Sequence, residues 1–104
     1  MQYDERSDGQ QIVATRNEEF EVSLPETRTA GYHWSIAEMG GPTLELLSEK
    51  TIPNAAGVGG SGHHIWSFRA ASPGETRLTF EYSRPWEKAP KPARTFTLKI
   101  RVDP

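Results

Sequence analysis

The chain contains 104 residues, with 12 Lys and Arg against 14 Asp and Glu, which gives a net charge of −2. This length suits one domain, and the near-neutral charge excludes the basic surface that nucleic acid or an anionic membrane requires. There is no cysteine, which excludes a disulfide scaffold, a thiolate metal site and a cysteine nucleophile. No apolar run approaches the roughly 20 residues of a membrane span, so neither nucleic acid nor a membrane is an expected partner.

The first ten residues, MQYDERSDGQ, are polar and contain no signal peptide. We expect residues 1–10 to form a mobile tail, followed by a single domain over residues 11–104. The compartment stays open at this point: the cytoplasm, or the periplasm or exterior if a leader has been removed. We expect a monomer.

Hydrophobic residues make up 35% of the chain, and eight prolines and nine glycines interrupt it. A domain with so few apolar residues must fill its core with large side chains, and three Trp, three Tyr and four Phe are available. This composition favours a small all-β domain over a helical bundle.

Alternation of apolar and polar residues predicts strands, because successive side chains of a strand point to opposite faces. The pattern occurs, in chain order, in residues 20–24, 32–36, 78–82 and 96–102. Two further strands are expected, one at residues 63–70 with Trp66 and Phe68 on one face, and one near residues 11–15. Residues 43–50, TLELLSEK, are ambiguous because Leu47 interrupts the alternation. We favour a strand there, with a single helical turn as the alternative.

Turn signals rich in Gly and Pro separate these segments at intervals typical of a sandwich or barrel. The prediction is therefore an all-β domain, an immunoglobulin-like antiparallel β-sandwich of about seven to eight strands. The Cys and Trp signature of antibody domains is absent, so only the architecture is implied.

Three connecting segments have unusual compositions. The first has a tip of small residues that suits a narrow cleft, the second has four glycines in residues 57–62, and the third places Trp86 directly after Pro85. The glycine-rich segment lacks the Lys-Ser/Thr ending of a phosphate-binding loop, and no helix is predicted after it. A Trp beside a Pro of fixed φ is a rigid aromatic anchor.

The order of these segments resembles a known family. They read Thr27-Arg28-Thr29-Ala30-Gly31-Tyr32, then Gly57-Val58-Gly59-Gly60, then Arg84-Pro85-Trp86. Chagasin and its relatives, which inhibit papain-like cysteine proteases, carry Asn-Pro-Thr-Thr-Gly-Tyr/Phe, Gly-x-Gly-Gly and Arg-Pro-Trp/Phe in this order. Leu24-Pro25, Trp34 and Tyr82 also resemble the family.

The resemblance covers roughly residues 20–102, and the second and third motifs match completely. The first departs from the pattern, since Thr27, Arg28 and Ala30 stand where the family has Asn, Pro and the second Thr. Loss of the Pro removes a restriction on φ, and Arg28 adds length and charge at the tip.

The resemblance implies a reversible, tight-binding competitive inhibitor whose partner is a papain-like cysteine protease and which needs no cofactor or metal. It implies that three loops at one end of the sandwich block the active-site cleft. The residues it assigns to protease binding are Thr27, Arg28, Thr29, Ala30, Gly31, Tyr32, Gly57, Val58, Gly59, Gly60, Arg84, Pro85 and Trp86.

Two other classes of function compete with this interpretation. An enzyme or metal protein is disfavoured, because His63 and His64 are adjacent and would face opposite sides of a strand, which leaves surface histidines as the plainer account. A non-inhibitory adhesion or carbohydrate-binding module on the same fold is the second alternative, since fold does not determine function. The glycine-bearing loops favour a protein cleft over sugar hydroxyls.

Overall fold

Eight strands account for most of the computed structural model, which describes residues 2–27, 32–39, 41–53, 61–84 and 93–104. Apart from Tyr32 and Thr43, which each lie just before a strand, all residues predicted to form strands lie in one of them. The strands are β1 (Gln2–Tyr3), β2 (Gln11–Thr15), β3 (Glu19–Thr27), β4 (His33–Glu38), β5 (Leu44–Pro53), β6 (Ser61–Ala70), β7 (Gly74–Ser83) and β8 (Arg94–Asp103). Two short 3-10 turns, Glu5–Ser7 and Gly41–Thr43, are the helical elements of the described residues.

The strands form two sheets of four, with the orders β1-β3-β6-β5 and β2-β8-β7-β4. Four neighbouring pairs are antiparallel: β3 with β6, β5 with β6, β4 with β7 and β7 with β8. The pairs β1 with β3 and β2 with β8 are parallel, which the sequence did not indicate. The predicted all-β, immunoglobulin-like sandwich is confirmed.

The core lies between the two sheets and is built largely from aromatic side chains. Phe80 of β7 is fully buried and reaches across to β6, with its ring centroid 4.5 Å from that of Trp66 and 6.4 Å from that of Phe68. Within its own sheet, Phe80 lies 5.9 Å from Phe96. Large rings thus fill a core that the modest apolar content could not fill with aliphatic residues alone.

Residues 44–53 form a strand, which resolves the ambiguity of TLELLSEK. The register of β5 on β6 shifts between Leu46 and Ser48. Leu47 is therefore the extra residue of a β-bulge, where two residues of one strand oppose one of the partner. The bulge explains why the alternation breaks at Leu47 while the strand continues.

Residues 2–10, which the sequence predicts to be a mobile tail, contact the sandwich in the structure. Gln2 and Tyr3 pair with β3, and the Tyr3 ring lies 6.0 Å from Phe20 in an edge-on arrangement. Further along, the Gly9 N–H donates to the Thr97 carbonyl at 2.8 Å. Backbone pairing and one aromatic contact hold this polar segment to the sandwich, and neither leaves a periodic signal in so short a stretch.

One end of the sandwich, which we call the far end, is closed by turns at residues 16–18, 41–43 and 71–73. The Asn17 N–H donates to the Ala70 carbonyl at 2.7 Å, and the Ala71 N–H donates to the Thr43 carbonyl at 2.9 Å. Asn17 adopts a positive φ of 76°, a conformation that Asn tolerates better than most residues.

Among the described residues, no helix has the length and apolar character to span a membrane.

Candidate functional site

The opposite end of the sandwich carries the strand ends that lead into the three unusual segments. We call this the loop end. In the first sheet, Thr27 at the end of β3 pairs with Ser61 at the start of β6. Pro53 at the end of β5 pairs with Gly62 of the same strand β6. The strand end that precedes residues 28–31 and the two strand ends that flank residues 54–60 therefore lie together at one end of this sheet.

The second sheet repeats this arrangement. His33 at the start of β4 pairs with Ser83 at the end of β7, and Tyr82 pairs with Arg94 at the start of β8. The start of β4, which follows residues 28–31, therefore lies beside the end of β7 and the start of β8, which flank residues 85–92.

Trp34 links the two sheets at this end of the sandwich. Its indole N–H donates to the Pro25 carbonyl at 2.9 Å, and its backbone N–H donates to Glu26 Oε2 at 2.9 Å. Because Pro25 and Glu26 are on β3 and Trp34 is on β4, the loop ends of both sheets coincide. All three segments start from the same end of the molecule.

Most of the predicted protease-binding residues lie outside the described residues. These are Arg28, Thr29, Ala30 and Gly31 of the first segment, Gly57, Val58, Gly59 and Gly60 of the second, and Pro85 and Trp86 of the third. The backbone of Thr27 is described as the last residue of β3, and Tyr32 and Arg84 are described in full. The assignment of these residues to protease binding stays a prediction.

Tyr32 and Arg84, from the first and third segments, are in contact. The Arg84 guanidinium carbon lies 4.5 Å from the centroid of the Tyr32 ring, within the range of a cation–π interaction. Tyr32 in turn stacks on Tyr82 at 5.4 Å, and Tyr82 packs against Trp34 at 5.0 Å. This stack joins the bases of the two segments.

A cluster of charged and imidazole groups lies beneath the first and second segments. Glu26 is 2% exposed, and its Oε2 accepts from the Trp34 N–H and lies 3.0 Å from His64 Nδ1. The other ring nitrogen, His64 Nε2, lies 2.6 Å from Glu49 Oε1. Glu26 Oε1 is also 3.6 Å from His33 Nδ1. A carboxylate only accepts, so both His64 contacts are hydrogen bonds when both ring nitrogens carry protons.

The pKa of Glu26 reflects two opposing effects. Burial alone would raise the pKa of this carboxyl, because a low dielectric disfavours charge. The hydrogen bonds from Trp34 and His64, together with the electrostatic effect of His64 and His33, outweigh burial, and the pKa is lowered from its ordinary 4.5. Glu26 is therefore held as a carboxylate in the folded protein.

This lowered pKa gives a pH-dependent prediction for Glu26→Gln. A carboxyl with a lower pKa in the folded chain adds stability above its unfolded value, and this contribution is lost as the pH falls through the folded-state value. We expect the substitution to lower the free energy of unfolding by about 1.5–3 kcal/mol near neutral pH, as for hydrogen bonds to a charged group. The difference in the free energy of unfolding between variant and wild type should shrink as the pH falls below 4.5, the ordinary pKa of a Glu carboxyl.

Urea unfolding of both proteins at about pH 7 and about pH 3 measures this difference. Glu21→Gln is a matched control, because Glu21 is also on β3 and accepts from the Ser67 hydroxyl of β6 at 3.2 Å. An equal loss of stability for Glu26→Gln at both pH values would contradict the account, because it would make the effect independent of ionisation.

Sequence reasoning missed Glu26 and His64. His64 is 9% exposed and its ring stacks on Trp66 at 3.9 Å, so the prediction of surface histidines is wrong for this residue. His63 is exposed and lies on the other face of β6. The spacing of His64 from Trp66 and Phe68 places the three side chains on one face of the strand and could have indicated that His64 is buried, but no local signal identified its partner. Among the described residues, no group of three or more His, Cys, Asp or Glu side chains has an arrangement that could hold a metal ion.

Comparison with known proteins places this arrangement in a family. Residues 13–100 match the model of the "Chagasin family peptidase inhibitor I42". Amoebiasin-2 of Entamoeba histolytica is 28% identical over 101 residues, which cover 94% of this chain and 81% of that protein.

Solved structures agree with this comparison. The crystal structure of the cysteine protease inhibitor EhICP2 from Entamoeba histolytica superposes with a TM-score of 0.84 at 25% identity, covering 97% of this chain and 93% of the other. The solution structure of Amebosin gives a TM-score of 0.72 at 28% identity, covering 99% and 97%.

The chain therefore belongs to the chagasin family of peptidase inhibitors. It is a cysteine protease inhibitor of the chagasin type, and the prediction of an inhibitor rather than an enzyme is confirmed.

Proposed function

We propose that this chain is a reversible, tight-binding competitive inhibitor that closes the active-site cleft of a papain-like cysteine protease. The binding surface consists of residues 27–32, 57–60 and 84–86 at the loop end. The observation that carries the proposal is the common position of the strand ends at Thr27, Ser61 and Ser83. Segments that start from one end of a sandwich can contact a single partner together, as antibody loops do.

The first segment is proposed to enter the cleft. A papain-like protease holds a Cys and His pair at the floor of its cleft, and an inhibitor blocks it without offering a scissile bond in attack geometry. Thr29, Ala30 and Gly31 have the small side chains that a narrow cleft requires. Their backbone N–H and carbonyl groups replace hydrogen bonds that a substrate would make.

The other two segments are proposed to contact the walls of the cleft. The glycines of residues 57–60 let the backbone lie close to a protein surface. Trp86 covers apolar area on the opposite wall, in the manner of an interface anchor. The stacking of Arg84 on Tyr32 at 4.5 Å supports a role for Arg84 in bracing the third segment against the first.

An interface made by three such segments is of standard size for a protease and its inhibitor, about 800 Å² on each partner. Its affinity depends on how well the segments are ordered before binding, because fixing each mobile side chain costs about 0.5–1.5 kcal/mol. One copy of the chain supplies all three segments, so we propose a monomer as the active form, without nucleic acid or a membrane as partner.

Inhibition kinetics with papain and a fluorogenic peptide test the proposal. We expect the inhibition constant to be nanomolar, the apparent constant to rise linearly with substrate concentration, and activity to return after dilution. Inhibition that does not depend on substrate concentration would place the inhibitor outside the cleft. No inhibition of papain or a cathepsin at micromolar concentration would contradict the proposed target class.

A further inference from the structure

Glu26 joins parts of the chain that lie next to two different binding segments. It is the penultimate residue of β3, directly before the first segment. Its carboxylate accepts from the Trp34 N–H at 2.9 Å, and β4 begins just after that segment ends. Glu26 therefore connects both flanks of residues 28–31 across the two sheets.

The same carboxylate also connects to the flanks of the second segment. Glu26 Oε2 lies 3.0 Å from His64 Nδ1 on β6, which starts directly after residues 54–60. His64 Nε2 lies 2.6 Å from Glu49 Oε1 on β5, which ends directly before them. The His64 ring is fixed in this position by its stack on Trp66 at 3.9 Å.

A buried carboxylate at this position is a costly way to close the end of a sandwich. Removing a charge from water is unfavourable, and well-packed apolar side chains often stabilise as much or more. Buried ionic groups instead fix a particular geometry, since their hydrogen bonds are directional and leaving them unmade is costly. The geometry fixed here is the relative position of the strand ends that flank residues 28–31 and 54–60.

We propose that Glu26 is a positioning residue for protease binding, acting through His64 to fix the spacing of the strand ends that flank residues 28–31 and 54–60. The inference rests on the proposed function of the loop end. Without the Glu26–His64 link, these strand ends hold the binding-competent spacing for a smaller fraction of the time. Apparent affinity falls in proportion to that fraction.

The test compares the inhibition constant and the melting temperature of Glu26→Gln, His64→Gln and the double variant, with papain as the target. We expect each single variant to raise the inhibition constant at least tenfold. Because both break the same link, the double variant should be no more than about threefold weaker than either single one.

Two controls separate positioning from stability. Glu21→Gln removes a carboxylate that also joins β3 to β6, through Ser67, but does so away from the loop end. Val102→Ala removes buried apolar contact near the far end, where Val102 pairs with Gly74. Both controls should keep the wild-type inhibition constant within twofold, and Val102→Ala should lower the melting temperature.

The outcomes are distinct. If Glu26→Gln inhibits as strongly as wild type, the positioning role is refuted while the proposed inhibitory function stands. The same holds if Val102→Ala has an equal melting temperature and Glu26→Gln inhibits no more weakly than it does. A double variant whose loss equals the product of the single losses also refutes it. If Glu26→Gln does not fold, His64→Gln decides by the same criteria. A wild-type protein that does not inhibit papain-like proteases overturns the proposed function instead.

Discussion

Replacing Trp86 by Ala should weaken inhibition of papain by about 2 kcal/mol or more, which is about a 30-fold rise in the inhibition constant. Trp is among the residues that most often dominate an interface, because it buries a large rigid surface. Pro85 fixes the backbone next to it, and Arg84 at the start of the segment stacks on Tyr32. We therefore expect Trp86, as the proposed anchor, to lose little freedom on binding.

The affinity of Trp86→Phe and the melting temperatures of both variants show whether the loss comes from the aromatic surface of Trp86. Trp86→Phe keeps a ring and should retain most of the affinity, and neither substitution should change the melting temperature by more than a few degrees. An inhibition constant for Trp86→Ala within twofold of wild type would remove Trp86 from the binding surface. A large drop in melting temperature would instead make the residue part of the core.

Replacing Phe80 by Ala should lower the free energy of unfolding by about 3–5 kcal/mol, the range for truncating a buried aromatic residue. Phe80 is fully buried and contacts rings from both sheets, including Trp66 and Phe96. The neighbouring side chains belong to paired strands, so we expect them to fill the resulting cavity only in part. Since small domains have only about 5–15 kcal/mol of stability, this one substitution removes much of the total.

Denaturant unfolding measures this loss, with Val13→Ala as the control. Val13 is 49% exposed on the outer face of β2, and substitutions at such positions usually change stability by less than about 0.5 kcal/mol. A loss below about 1 kcal/mol for Phe80→Ala would show that the sheets can collapse around the cavity. The aromatic rings would then not be the main link between the two layers.

The strands were predictable because burial on one face leaves an alternating pattern in the sequence. Leu98, Ile100 and Val102 are buried while Lys99 and Arg101 between them are exposed, which is the pattern read from residues 96–102. The strand pairing was less predictable. The parallel pairs of β1 with β3 and β2 with β8 join segments that are distant in sequence, and no local signal distinguishes them from antiparallel pairs.

The candidate site was likewise predictable only in part. Its three segments stood out because small residues, glycines and a Pro-Trp pair are local features of the sequence. Glu26 did not, because a glutamate beside a loop usually lies in solvent. Its burial depends on His64, 38 positions away, and on the Trp34 backbone. Such a partnership exists only after the sheets have assembled, so composition and spacing cannot reveal it.

Amide hydrogen exchange of the inhibitor, free and bound to papain, is the most direct test of whether the three segments form one binding surface. We predict new protection in residues 27–32, 54–61 and 84–93 together, with little change in the turns at 16–18 and 71–73. Protection at those far-end turns, or in only one of the three segments, would contradict the account.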